Sequence, residues 1–242
     1  MNKEKMPLIW QYIVLKHLRK PKLLGMDLEI KAGPFKGMRY ITEANCSRLM
    51  PKIIGCYESA MTPWILDIPS RKYDVILDVG CAEGYYAIGF AYQNYAKRIY
   101  AFDIEEEALD NARQLATLNH VEDKICFDGL CDEAKLSTLC AGRRALVFCD
   151  IEGSEDELLD PDKIPMLKNT DMIIESHDFI VPGMINKLIE RFQGTHRIEI
   201  VGDSGVNLDK FPVLKSFNKR IRRKFVNEGR APGMMWVRLT VK

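Results

Sequence analysis

The sequence predicts an α/β fold built on one mostly parallel sheet of seven strands, with helices on both faces, the last strand antiparallel and a helical cap at the N-terminus. Three observations carry this. From position 73 onward, short β-branched runs alternate with helical patterns, which is how repeated strand–helix–strand units read in a sequence. The first such run ends in a glycine-bearing turn, DVGCAEGYYAIGFA (78–91). The final two runs have no convincing crossover helix between them, so the last strand enters the sheet antiparallel, as at the edge of many mixed sheets.

Taken in order, DVILDV (74–79) opens the sheet and YYAIGFAYQ (85–93) is its crossover helix. RIYAFD (98–103) follows, then a helix over 105–118 whose first-turn glutamates complement the helix dipole. KICFDG (124–129) leads to a helix over 132–139, and RALVFCD (144–150) to a short one over 155–159. DMIIES (171–176) precedes a helix over 182–192 with Pro182 at its first turn, where a missing N–H costs nothing. HRIEIVG (196–202) and MMWVRLTV (234–241) close the sheet.

Residues 1–70 form a cap region and 71–242 the main domain; the cap is too small, and too broken by Gly and Pro, to fold alone. Its first segment, MNKEKMPLIWQYIVLKHLRK, reads as an amphipathic helix, because Gln11 and Lys16 interrupt the apolar run and no small-residue cleavage site follows. No run of 18 apolar residues occurs, so no membrane span is expected. A net charge of +1 with 47% hydrophobic and 29% charged residues excludes a disordered chain or one that coats nucleic acid. Seven scattered cysteines without a C-x-x-C pair point to reduced thiols in the cytoplasm and away from structural zinc.

Ligands of open α/β sheets bind beyond the carboxyl ends of the strands, where strand order reverses. The turn Gly80-Cys81-Ala82-Glu83-Gly84-Tyr85 occupies the first such end, and its glycines permit a sharp turn close to a ligand. The dinucleotide pattern would place glycine where Ala82 stands, and Glu83 would repel a pyrophosphate. Asp78 and Glu83 instead favour a ligand with a cationic group, as in the ammonium and sulfonium of S-adenosylmethionine. Asp103, 23 residues after Gly80 and followed by Ile104, ends the second strand where a carboxylate accepts both ribose hydroxyls. Asp128 and Gly129 end the third strand where an adenine amino group would lie, although Asp-Gly is also an ordinary turn former. Glu58, before the sheet, could close over the methionine end of the ligand or simply cap the chain.

Through DVGCAEG, YAFDIEEE, FDG and RALVFCD, in that order over about 170 residues, the chain resembles the class I S-adenosylmethionine-dependent methyltransferases. CDIEGSEDELL (149–159) is similar to the D-x-E-G-x-E-x-x-[IL] segment of FkbM-type methyltransferases, with Asp150, Glu152, Gly153 and Glu155 matching. The resemblance implies a Rossmann-like seven-stranded sheet, S-adenosylmethionine as cofactor and methyl transfer to an oxygen of a small-molecule or sugar acceptor.

Methyl transfer to a hydroxyl needs positioning and a proton acceptor. Asp150 and Glu152 at the end of the fourth strand, and His177 at the end of the fifth, are the catalytic candidates. His177 would act as general base with Asp178 or Glu152 orienting its ring, or be structural, as lone histidines often are. Asp150, Glu175 and Asp178 could instead gather a hard divalent cation, though strand-end carboxylates are common without one and no metal ligand is assigned. KSFNKRIRRKF (215–225) carries six basic residues: a site for an anionic partner, which keeps an RNA methyltransferase as the alternative, or a solvated helix face with Phe217, Ile221 and Phe225 inward.

Overall fold

The structure, a computed structural model, describes residues 28–45, 47–203, 205–230 and 233–242. The amphipathic segment expected near the N-terminus lies outside the described residues. The seven strands are β1 (Tyr73–Val79), β2 (Ala96–Phe102), β3 (Ile125–Asp128), β4 (Ala145–Cys149), β5 (Asp171–Ser176), β6 (His196–Gly202) and β7 (Met235–Val241), in the order β3-β2-β1-β4-β5-β7-β6. β7 is antiparallel to both β5 and β6, and the other pairings are parallel. The last strand is antiparallel as expected, and it lies inside the sheet, forming an antiparallel pair with the edge strand β6. The reason is burial: Trp236, Val237 and Leu239 of β7 are buried, whereas β6 exposes most of its residues and can face solvent.

The described helices are α1 (Leu49–Ile54), α2 (Thr62–Arg71), α3 (Tyr85–Tyr92), α4 (Glu106–Leu118), α5 (Glu133–Cys140), α6 (Glu155–Leu158), α7 (Met184–Phe192) and α8 (Lys219–Phe225). Residues of α2, α3 and α4 share one apolar layer with Ile76, Ile99 and Phe148, while α5 and α7 pack with Leu77, Val147 and Ile174 on the opposite face. Local chemistry sets several starts. Asp132 accepts from the Lys135 amide to open α5, and Asn218 accepts from Ile221 to open α8. Pro182 falls just outside α7, because Gly183 in the left-handed region is its N-cap. Ile221 and Phe225 are buried against Met50, Ile54 and Leu214, with Phe217 at the margin, so α8 packs inward onto α1 and turns its basic face out.

Residues 28–40 lie over α3 through Phe35, whose ring meets Tyr85 edge-on at 5.2 Å and Phe90 at 5.7 Å. Beneath them Glu83 is wholly buried, and its carboxylate accepts from Tyr40 Oη at 2.6 Å, from the Asn45 amide at 3.0 Å and from Lys52 Nζ. This buried pair ties α1 to the turn after β1. Removing one partner of such a pair strands a charge, whereas replacing both is far less costly. Lys52→Met should therefore lower unfolding free energy by about 3 to 5 kcal/mol in urea titrations, with most of that loss recovered in Lys52→Met/Glu83→Gln.

Candidate functional site

A cleft of about 540 Å³ opens at the carboxyl ends of β1, β2, β3, β4 and β5. This is where strand order reverses between β1 and β4, the position at which open α/β sheets bind ligands. Gly80, Ala82, Asp103, Ile104 and Gly129 line one half; Asp150, Glu152, Glu175, Glu228 and Arg230 line the other; Lys52 and Tyr57 close it from the cap side.

In the first half, Asp103 is held in place by the backbone. Its Oδ2 accepts from the Ala82 amide at 2.8 Å and its Oδ1 from the Glu105 amide at 2.9 Å, which leaves further lone pairs on both oxygens toward the cleft. Phe102, Ile104 and Leu130 give that end apolar walls, with Ile104 and Leu130 exposed at the mouth. Gly80 serves a different purpose from the one its motif suggests. At φ +85°, a Cβ there would stand 1.7 Å from the Asp150 carbonyl oxygen, so glycine is required by the neighbouring strand. Likewise, a Cβ on Gly84 would meet Ile88 Cδ1 at 2.1 Å and Ala112 Cβ at 3.1 Å, so this glycine admits the helix packing of α3 on α4.

Several expected donor residues face elsewhere. Glu83 is consumed by Lys52, Tyr40 and Asn45, which corrects the expectation that it meets a cationic ligand. Tyr85 is buried among Phe35, Tyr57 and Tyr86, and Cys81 is buried beneath the turn. Asp128 pairs with Lys135 Nζ at 2.6 Å and accepts from Gly129, so its carboxylate is already engaged. Asp78 is buried below the cleft, and its Oδ2 has no hydrogen-bond partner among the described residues.

The second half is organised by Arg230, a residue that the sequence patterns did not single out. Its guanidinium donates from Nε to Glu228 at 2.7 Å, from Nη1 to Glu175 at 2.6 Å and from Nη2 to Glu58, and lies between the rings of Tyr57 and Trp236. Burial works against its charge, but Glu58 and Glu175 outweigh that and raise its pKa further. Glu58, which also accepts from Tyr86 Oη, is thereby a buried anchor for Arg230 and not a wall of the cleft. Burial, then the charges of Glu58 and Asp150, push the Glu175 carboxyl up to about 10, and burial with Glu58 pushes Asp150 up to about 7. In the sequence, Arg230 stands in the Gly-containing stretch NEGRAPG between the last two strands.

His177 lies behind this floor, 1% exposed, so it does not reach the cleft directly. Its Nδ1 is 2.8 Å from Glu155 Oε1, and Glu155 itself accepts from the Ile151 and Gly153 amides. Glu155, not Asp178 or Glu152, therefore orients the ring; Asp178 accepts from the Ile185 amide at the start of α7. Burial lowers the imidazole pKa, but Glu155, Asp150 and Glu152 outweigh it and leave it above its ordinary value. The carboxylate trio Asp150, Glu175 and Asp178 is not assembled. The group that converges is Asp150, Glu152 and His177.

Residues 70–129 match the sequence profile of a methyltransferase domain family. No curated protein sequence matches the chain significantly. Among solved structures, an rRNA methylase from Streptococcus thermophilus aligns at TM-score 0.50 and 13% identity, over 76% of this chain and 97% of that one. The C-terminal domain of precorrin-6Y C5,15-methyltransferase from Rhodobacter capsulatus aligns at 0.49 and 12%, over 78% and 90% of the two chains. The O-methyltransferase TomG from Streptomyces achromogenes, solved with S-adenosylmethionine, aligns at 0.45 and 12%, over 74% and 80%. The seven-stranded mixed sheet is thus a Rossmann-like methyltransferase fold, and the stretch that matches the profile carries the Gly80 turn, Asp103 and Gly129.

Burial pushes the Asp78 carboxyl up to about 8, against the Ala87 amide, which favours its charged form. The folded state then retains a proton that the unfolded chain releases near pH 4. The associated stability is complete below that pH and is lost as pH rises toward 8. In urea unfolding at pH 5 and pH 8, Asp78→Asn should gain on the natural chain by about 2 to 4 kcal/mol at the higher pH. Parallel pH profiles for the two proteins would contradict this account.

Proposed function

We propose that the protein is an S-adenosylmethionine-dependent methyltransferase that O-methylates a small-molecule or carbohydrate-like acceptor. The observation that carries this reading is the division of one cleft at the strand switch point. One half has a backbone-held carboxylate and apolar walls, and the other has Asp150 and Glu152 at the end of the adjacent strand. S-adenosylmethionine supplies a methyl group on a sulfonium, which departs as a neutral thioether.

The residues present suit that cofactor. The cleft volume of about 540 Å³ falls in the range of small-molecule sites. Asp103 offers carboxylate lone pairs to a ribose diol, while Phe102, Ile104 and Leu130 offer apolar surface to a purine. Gly80 and Ala82 present backbone without bulk, and the acidic floor provides the negative field that a sulfonium and an ammonium require. Asp150 and Glu152 orient the acceptor hydroxyl and take its proton, with His177 Nε2 standing behind them at 3.6 and 3.3 Å. The segment Asp150-Ile-Glu-Gly-Ser-Glu155, in which Glu155 fixes His177, supports an FkbM-like reading. Among the described residues six cysteines are free, five of them buried, which supports a cytoplasmic setting.

An RNA acceptor is the second reading, favoured by the exposed Lys219, Arg220, Arg223 and Lys224 of α8. The cleft argues against it. Among the described lining residues, Asp103, Glu105, Asp150, Glu152 and Glu228 face Lys52 and Arg230 as the cations, a setting that repels a phosphate backbone. Salt-dependent binding of a short RNA hairpin, lost when the α8 basic residues are neutralised, would restore it.

Calorimetry should show one S-adenosylmethionine, or its demethylated product, bound per chain. Asp103→Asn should weaken it about 10- to 100-fold, the loss of one or two charge-assisted hydrogen bonds. No heat of binding with either compound would end the methyltransferase reading.

A further inference from the structure

We propose that Asp150, Glu152 and His177 hold one divalent cation at the floor of the cleft. This rests on the acceptor-side reading above and deepens it by naming what the two carboxylates and the histidine act through. Glu155 takes the Nδ1 side of His177 at 2.8 Å and is itself fixed by the Ile151 and Gly153 amides, so Nε2 is the ring's outward donor atom. A carboxylate on one imidazole nitrogen is the usual support for a histidine that binds metal through the other.

Two oxygens lie in front of that nitrogen: Glu152 Oε2 at 3.3 Å and Asp150 Oδ1 at 3.6 Å. Donor atoms held about 2.0 to 2.2 Å from one cation stand about 2.8 to 3.1 Å apart at octahedral angles and about 3.3 to 3.6 Å apart at tetrahedral ones, and the two separations from Nε2 match the wider spacing. All three donor atoms lie within 4.8 Å of one another. Asp150 Oδ1 is buried and has no hydrogen-bond partner among the described residues, although a buried oxygen of this kind ordinarily finds one.

Two carboxylate oxygens and one imidazole nitrogen suit a first-row divalent cation that accepts both oxygen and imidazole ligands, such as Mn²⁺, better than an ion that prefers an all-oxygen cage or thiolates. Asp150 and Glu152 face the cleft and His177 lies behind them, so the open coordination positions point to where the acceptor would bind. There the cation would polarise the acceptor hydroxyl, and the second oxygen of the exposed Glu152 carboxylate stays available for its proton.

The test uses the full chain, stripped with a chelator and titrated with MnCl₂ by calorimetry and electron paramagnetic resonance. The expected result is one Mn²⁺ per chain, with nitrogen coupling from His177 in the pulsed spectrum. Affinity should fall at least about tenfold in Glu152→Gln and in His177→Gln. Glu152 is 69% exposed, so that variant keeps its fold even if the buried histidine variant does not. Glu105→Gln, a cleft acid outside the trio, should change affinity less than about twofold. No Mn²⁺ binding at millimolar concentration, or binding without nitrogen coupling and indifferent to Glu152→Gln, would overturn the proposal. S-adenosylmethionine binding measured in chelator separates the two readings: its absence refutes the donor assignment, while the Mn²⁺ titration alone decides the cation.

Discussion

The site depends on how closely the end of β1 approaches the end of β4. The position of a Gly80 Cβ falls 1.7 Å from the Asp150 carbonyl oxygen, and the Asp150 amide donates to Val79 at 2.9 Å. On the other side the Gly80 and Cys81 amides both donate to Phe102 at 2.9 Å. The turn after β1 is therefore clamped between β2, which carries Asp103, and β4, which carries Asp150. One glycine brings the two halves of the cleft within reach of each other, and any side chain there would force them apart.

A second constraint is electrostatic. The cleft gathers many carboxylates in a partly buried space, which is unfavourable unless each finds a partner. Arg230 meets that need for Glu58, Glu175 and Glu228 at once, and it is placed by the sheet. β7 pairs with β5 so that Glu175 stands beside Trp236, and the connection before β7 carries Arg230 onto the Trp236 ring and over the Glu175 carboxylate. Inserting β7 between β5 and β6 is therefore as important to the cleft as to the core. Lys52 does for Glu83 what Arg230 does for Glu58, Glu175 and Glu228.

Of the six described non-glycine residues in left-handed conformations, Lys72, Asn94 and His120 lie away from the cleft, while Glu58, Ala82 and Glu152, at φ 49°, 48° and 54°, lie at or beneath it. Such residues persist where surrounding structure over-determines them, and they cluster at binding sites. Here Ala82 bonds Asp103, Glu58 anchors Arg230, and Glu152 turns toward His177.

Much of the fold was legible in the chain because periodicity and turn chemistry are local. The strand and helix alternation from Tyr73 onward, the antiparallel last strand and the switch-point position of DVGCAEG follow from burial patterns and glycine positions that tertiary contacts did not override. The sequence also put Asp103 and Asp150 at strand ends, where the topology had to bring them to one edge. What it could not determine was orientation. Glu83 and Tyr85 sit in the motif yet point into the protein, because Lys52, Tyr40 and Phe35, more than 30 residues away in the chain, take their side chains. Arg230 and Glu155 became visible only when distant segments met, since hydrogen-bond and ion-pair partners are chosen by distance in space. Local sequence sets the backbone path, and only packing decides which of two neighbouring acids faces a ligand and which faces a lysine.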